Sequence, residues 1–314
     1  MRTRRVGATG LVVGRIGLGT LTWGQETDAD EAGAILAAFR AAGGTLVCTA
    51  DGFGDGAAED VLGRLIAADR DELVLAAQTG SPWSPSVGGS RRALLAALDA
   101  SLDRLRTEHL DLWLVRGLGG SAPIAETLSA MEIAVRSGRA RYAGFTDVAA
   151  WQLATAATTQ AMVPGATPVA AVHAEWSLLA RDAERELVPA AVAAGVGVLA
   201  WSPLGRGVLT GKYRGGVPRD SRGGSERWQE FVTPYLDDRA TRVLDGVLTA
   251  ADGLGVSPAA VALAWLRDRP GATAAVVGPR TAAQLQAALA AEDLTLPDEI
   301  EAALDEVSTP VVRP

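Results

Sequence analysis

Short apolar runs alternate along the chain with longer Ala-rich stretches whose apolar positions recur every three or four residues. The runs at 15–19, 45–48, 73–77, 110–115, 140–145, 170–174, 196–201 and 274–277 predict eight strands. Helical patterns fill most of the intervals, among them 30–42, 58–68 and 91–105. Start and stop signals agree with the first of these: Thr27 and Asp28 precede it, and Gly43-Gly44 follow it. Near-continuous apolar strands separated by helices mean a parallel sheet covered on both faces. Eight such units in 314 residues predict one α/β domain over residues 1–314, a (β/α)8 TIM barrel. An open doubly wound sheet is the competitor. Against it, no GxGxxG follows the first strand, because RIGLGTLTWG spaces its glycines differently. A polar loop at about 211–233, rich in Gly, Arg and Ser, interrupts the rhythm after the seventh strand and reads as a mobile lid or binding loop.

Composition narrows the picture. Hydrophobic residues make up 48% of the chain but aromatics only 5%, so the core must be built mostly from Ala, Val and Leu. A net charge of -8 without a long run of one sign argues against a nucleic-acid partner, which needs clustered cations. The single cysteine, Cys48, excludes an internal disulfide and a cysteine-based metal site. His109 and His173 lie far apart with no ligand spacing, so no metal is expected. MRTRRVGATG is basic but no apolar segment follows it, and no run is long enough to span a membrane. A cytoplasmic protein acting on a small molecule, with no membrane partner, is the resulting expectation.

A barrel of this class carries its chemistry at the C-terminal ends of the strands. The stretches RRVGATGLVVGRIGLGTLTWG, GDGAAEDVLGRL, SLDRLRTEHLDLWLV, WSPLGRGVLTGKY and VVGPRTAAQL contain or adjoin those ends. Together, from about residue 4 to about 296, they resemble the aldo-keto reductases. The resemblance implies a barrel that binds NADP(H), NADP over NAD, and reduces carbonyls with four side chains. A Tyr protonates the carbonyl oxygen, a Lys paired to an Asp lowers that Tyr's pKa, and a His orients the substrate. The logic is that a phenol near pKa 10 is a poor acid at neutral pH without a neighbouring cation.

In TLVCTADGFG the family's Asp falls on Cys48 and its Tyr on Phe53. Its Lys falls on Gln78, and its His on Arg116 in DLWLVRG. All four positions differ. Displacement does not rescue them: Lys212, the only lysine, belongs to the LTGKY motif. Tyr142, Tyr213 and Tyr235 lie far from strand two, and neither histidine follows strand four. Removing only the Lys would leave a buried, unpaired carboxylate, which is costly. Here both members of the pair are neutral, a self-consistent repacking. Arg116 then adds a permanent cation. It either pairs with a nearby carboxylate such as Asp51 or Asp147, or binds an anionic ligand group. Cys48 reads as a small buried hydrophobe.

The resemblance also assigns a cofactor site. Gly19, Thr20, Ser202, Leu204, Gly207, Lys212, Gly278, Arg280 and Gln284 match its cofactor-binding positions, with Arg280 suited to a 2′-phosphate. At the nicotinamide end the family's Ser-Asn appears as Thr146-Asp147, its Gln as His173 and its stacking Tyr as Trp176. Asp147 replaces an amide with an acceptor-only carboxylate. That favours a cation beside it, either oxidised nicotinamide or a protonated His173. Trp23, Phe53 and Trp83 fall where the family lines its substrate pocket, whereas Trp113, in mid-strand, can instead face the helices. Three readings result. The first is an NADP(H)-binding enzyme working on a C=N or C=C bond or in redox-neutral chemistry, with His173, Asp147 and Arg116 as candidate catalytic residues. The second is a non-catalytic pseudoenzyme that binds cofactor or supports a partner. The third is an ordinary carbonyl reductase with an unrecognised acid.

Overall fold

The computed structural model describes residues 1–80, 89–116, 122–219 and 221–310. Eight parallel strands close into a barrel in chain order: β3 (Ile16–Gly19), β4 (Leu46–Ala50), β5 (Val74–Thr79), β6 (Leu110–Arg116), β7 (Ala140–Thr146), β8 (Val169–Glu175), β9 (Gly197–Trp201) and β10 (Ala272–Val277), which pairs back onto β3. Each expected strand is present, with ends shifted by a residue or two. Two short strands precede them, β1 (Thr3–Arg5) and β2 (Val12–Gly14), paired antiparallel. This hairpin did not register in the hydrophobic pattern, because each arm has only three residues. Its Val6 and Val13 pack with Leu46, Ala170 and Ala274 and plug the N-terminal end of the barrel.

Around the barrel lie α1 (Ala29–Ala41), α2 (Ala57–Ile66), α3 (Arg91–Leu105), α4 (Ile124–Arg136), α5 (Ala150–Ala161), α6 (Leu187–Ala193), the short α7 (Gln229–Val232), α8 (Asp238–Leu254), α9 (Pro258–Arg267), α10 (Ala282–Leu289) and α11 (Asp298–Ser308). Among these described helices none is long and apolar enough by itself to cross a membrane. The cap of α1 is Asp28, whose carboxylate accepts from the Glu31 N–H at 2.9 Å. The chain then turns at Gly44, where a Cβ would meet the Phe39 ring at 2.5 Å.

The period of two in each strand separates two apolar layers. Val47, Leu75, Trp113 and Phe145 point outward and pack under the helices. Leu46, Cys48, Ala76, Leu112, Leu114, Leu199 and Val276 point inward. Trp113 faces the helical layer, fully buried, and donates its Nε1–H to Thr79 Oγ1 at 2.7 Å. Small inward residues let the walls approach. At Gly144 a Cβ would lie 2.2 Å from the Ala171 carbonyl oxygen. The loop after β9 carries short helical turns as well as α7. It is pinned by Tyr213 Oη, which accepts from the Gly223 N–H at 3.1 Å, and by the Trp228 indole, which donates to Glu26.

Candidate functional site

The same parity that builds the inner layer brings its last members to the C-terminal mouth. Gly19, Cys48, Gln78, Arg116, His173, Trp201 and Val276 occupy inward positions on seven strands and line one cavity of about 790 Å3. The loops after the strands complete it with Leu21, Phe53, Asp147, Ser202, Leu204, Arg206, Gly207, Lys212, Arg222, Phe231, Gly278, Arg280 and Gln284. Three of its residues, Asp147, Ser202 and Arg206, are non-glycines with φ of 53°, 50° and 57°. Left-handed backbone costs about 1–2 kcal/mol per residue, so these strand ends are held by their surroundings.

At one end of the cavity lie the positions that the family resemblance makes catalytic. Cys48 is 2% exposed and belongs to the inner apolar layer; burial pushes its thiol up to about 12. A thiolate nucleophile is therefore excluded at neutral pH. Phe53 and Gln78 line the cavity beside it. Arg116 closes β6 and donates from Nη1 to Asp147 Oδ2 at 3.0 Å. The other oxygen of Asp147, Oδ1, accepts from the Trp201 indole at 2.9 Å, and its backbone N–H is tied to the His173 carbonyl at 3.1 Å. Burial still raises the Asp147 pKa, because desolvation outweighs Arg116, Trp201 and the neighbouring Thr146 hydroxyl. Asp51 is engaged elsewhere, accepting from the Gly80 N–H at 2.9 Å.

His173 is 3% exposed, and neither ring nitrogen has a hydrogen-bond partner among the described residues. Burial alone pushes its pKa down to about 3, so the imidazole is neutral. The expectation of a protonated His173 beside Asp147 is corrected: the cation there is Arg116. With that charge already balanced, the electrostatic reason for preferring oxidised nicotinamide also falls away.

Two aromatic assignments change, one through strand parity and one through a backbone turn. Trp176 follows the inward Glu175 and so turns outward; it is fully buried and donates from Nε1 to Glu184 Oε1 at 2.8 Å. The flat ring on the cavity wall is Trp201. Trp23 likewise does not line the cavity. The Thr20–Thr27 turn, with the Trp23 N–H on the Thr20 carbonyl at 3.0 Å, folds its ring into the outer core and leaves Leu21 facing inward. Trp83 lies outside the described residues. Thr20 and Thr146 are buried and do not line the cavity; Thr20 donates to Thr49 Oγ1 at 2.9 Å.

The opposite end collects cations. Lys212, Arg222 and Arg280 face one another around the turn at Gly278, and desolvation with mutual repulsion lowers the pKa of Lys212 and Arg222. Glu26 is the acidic group that offsets part of this at Arg222. Arg222 also reaches the Gly278 carbonyl at 3.4 Å. This residue escaped the sequence reading because it comes from the long loop, whose path the motif does not specify. Gln284 is partly a cap: its Oε1 accepts from the Arg280 N–H at 2.8 Å, and Thr281 Oγ1 accepts from the Gln284 N–H at 3.2 Å. Arg206 is occupied structurally. It binds both oxygens of Glu175 and packs on the Trp201, Phe231 and Tyr235 rings. The described residues contain no cluster of metal-ligating groups.

A closed parallel barrel with a cavity at its C-terminal mouth defines a (β/α)8-barrel protein whose site lies where this fold carries its chemistry. The chain belongs to the aldo/keto reductase family, whose family model matches residues 15–309. Among its relatives is a probable voltage-gated potassium channel subunit beta of Arabidopsis thaliana, 31% identical over 94% of this chain and 92% of that protein. An uncharacterized oxidoreductase, YrpG, of Bacillus subtilis is 32% identical over 96% of this chain and 94% of its own length. An L-glyceraldehyde 3-phosphate reductase of Escherichia coli K12 is 33% identical over 74% of this chain and 69% of that protein.

Proposed function

We propose that this protein binds NADP(H) in the cavity together with a small molecule, and that it acts on a C=N or C=C bond or in redox-neutral chemistry instead of reducing carbonyls. The observation that carries this reading is the pairing of a cation cluster suited to phosphates with a reacting end that has no proton donor of the family's kind. Lys212, Arg222 and Arg280 would hold the phosphates, with the turn before α10 adding backbone donors. The two unpartnered nitrogens of His173 would meet a polar group of the cofactor or ligand, and Trp201 offers a flat face. When bound, NADP(H) supplies hydride.

A ketone reduced by hydride becomes an alkoxide and needs an acid; an iminium becomes an amine and needs none. None of the described tyrosines lines the cavity. Tyr235 is a poor replacement, its pKa raised by burial and by Glu175. Titration with NADPH and NADP+, followed by Trp fluorescence and calorimetry, tests the cofactor. Saturable NADPH binding and NADPH consumption with cyclic imines or enones, but not with ketones, is the expected result. Failure of both nucleotides to bind would overturn it.

A non-catalytic role is the second reading, favoured by one surface feature. Residues 148–174 carry no Asp, Glu, Lys or Arg, and Trp151, Met162 and Val163 are 68%, 78% and 52% exposed along and just beyond α5. Two relatives are described as probable channel subunits beta. Cofactor binding without turnover on any of these substrates would select this reading.

A further inference from the structure

We infer that the reacting end of the cavity takes a small organic acid, whose carboxylate docks on Arg116 and whose body lies against Leu21, Phe53, Trp201 and Phe231. This rests on the reading of the cavity as a small-molecule site, and not on hydride chemistry.

Arg116 is the last residue of β6 and lines the cavity, with its side chain 35% exposed. The bond from Nη1 to Asp147 is the one hydrogen bond that its guanidinium makes among the described residues. A guanidinium has five N–H groups in a planar fork, and one carboxylate oxygen uses one of them. Asp147 cannot swing to take more, since its Oδ1 is held by Trp201 and its backbone by His173. A pair held at a single point leaves Nη2 and Nε as donors matched to a second carboxylate.

Beyond Asp147, the surrounding groups leave the anion no competitor and no alternative. Cys48, Phe53, Gln78 and the deprotonated His173 carry no charge. Arg206, another guanidinium on the wall, is committed to Glu175, to the Phe231 carbonyl and to three rings. Lys212, Arg222 and Arg280 gather about the turn after β10, and β10 lies four strands from β6 in either direction around the barrel. Asp147 holds a partner role beyond anchoring. A ligand with a cationic nitrogen and a carboxylate, such as an imino acid, would set its two charges against the two members of this pair.

The test uses the purified full-length chain and three acids, each with its neutral isostere: benzoate with benzamide, cinnamate with cinnamamide, and pyrrole-2-carboxylate with its carboxamide. Binding is followed by calorimetry and Trp fluorescence. At least one acid is expected to bind tenfold or more tighter than its amide, with the preference abolished in Arg116→Gln. Asp147→Asn frees the guanidinium of its counter-charge and should tighten the same acid at least threefold. It also serves if Arg116→Gln fails to fold. Equal binding of acid and amide in all three pairs, survival of the preference in Arg116→Gln, or no gain in Asp147→Asn would each overturn the inference. NADPH titrated into the same samples separates the two claims. Acid preference without NADPH binding sinks the cofactor reading alone, and NADPH binding without acid preference sinks this one alone.

Discussion

The two ends of the cavity handle charge in opposite ways. Around Gly278 three cations converge, and desolvation together with repulsion from neighbouring cations lowers the proton affinity of Lys212 and Arg222. Around Cys48 the fixed charges are reduced to one pair, Arg116 with Asp147, and the remaining groups are neutral. The first end gathers Lys212, Arg222 and Arg280, and the second is lined by the apolar and amide groups of Cys48, Phe53 and Gln78. Both ends belong to one barrel, on opposite sides of its mouth, so they could change independently while the fold stayed the same.

The sharpest way to break this contrast is to put a charge back at the neutral end. Cys48→Asp alone buries a carboxylate without a partner and is expected to destabilise the fold by about 3–5 kcal/mol. Adding Gln78→Lys should recover part of that loss, and urea denaturation of the single and double variants checks it. No recovery in the double variant would mean that the two positions no longer face each other.

Removing charge at the cationic end should act on binding instead of folding. Lys212→Ala or Arg280→Ala is expected to weaken NADPH by roughly 10- to 100-fold, the range of a charge-assisted contact of about 1.5–3 kcal/mol. Arg222→Gln should follow with a smaller loss, and calorimetric titration distinguishes them. An unchanged affinity in all three would remove the phosphate site.

His173 sharpens the comparison through pH. Its folded pKa of about 3 lies below the ordinary 6.5, so the unfolded chain binds more protons between those values. Its contribution to stability is complete above pH 6.5 and is lost as pH falls toward 3, at up to about 1.4 kcal/mol per pH unit. Tm measured from pH 7 to 4 should fall less steeply in His173→Gln, which does not titrate. Identical slopes would mean that the imidazole gains a partner or water access on acidification.

The smallest effect is at the wall. Trp201→Phe removes the indole donor to Asp147 and is expected to cost about 1 kcal/mol of stability while leaving the Arg116 pair in place. A loss much beyond that would show that the indole also orients the pair.

Much of this molecule was legible along the chain. Eight apolar runs, spaced by helical patterns and punctuated by residues such as Asp28 and Gly44, determined the barrel, because burial on two faces and local capping act over a few residues. The family motifs pointed to positions at the strand ends, and Cys48, Phe53, Gln78 and Arg116 line one cavity there. The tertiary structure decided what depends on direction and distance. Strand parity turned Trp176 outward and Trp201 inward, a backbone turn buried Trp23, and a long loop delivered Arg222 to a site 56 residues away in sequence. It also decided which carboxylate Arg116 meets. Two acidic candidates, Asp51 after β4 and Asp147 after β7, flank the end of β6 at different distances, and only the closed barrel determines that one caps a turn at Gly80 while the other holds the cation. An ion pair is a matter of a few ångströms across separate strands, and spacing along the chain does not measure that.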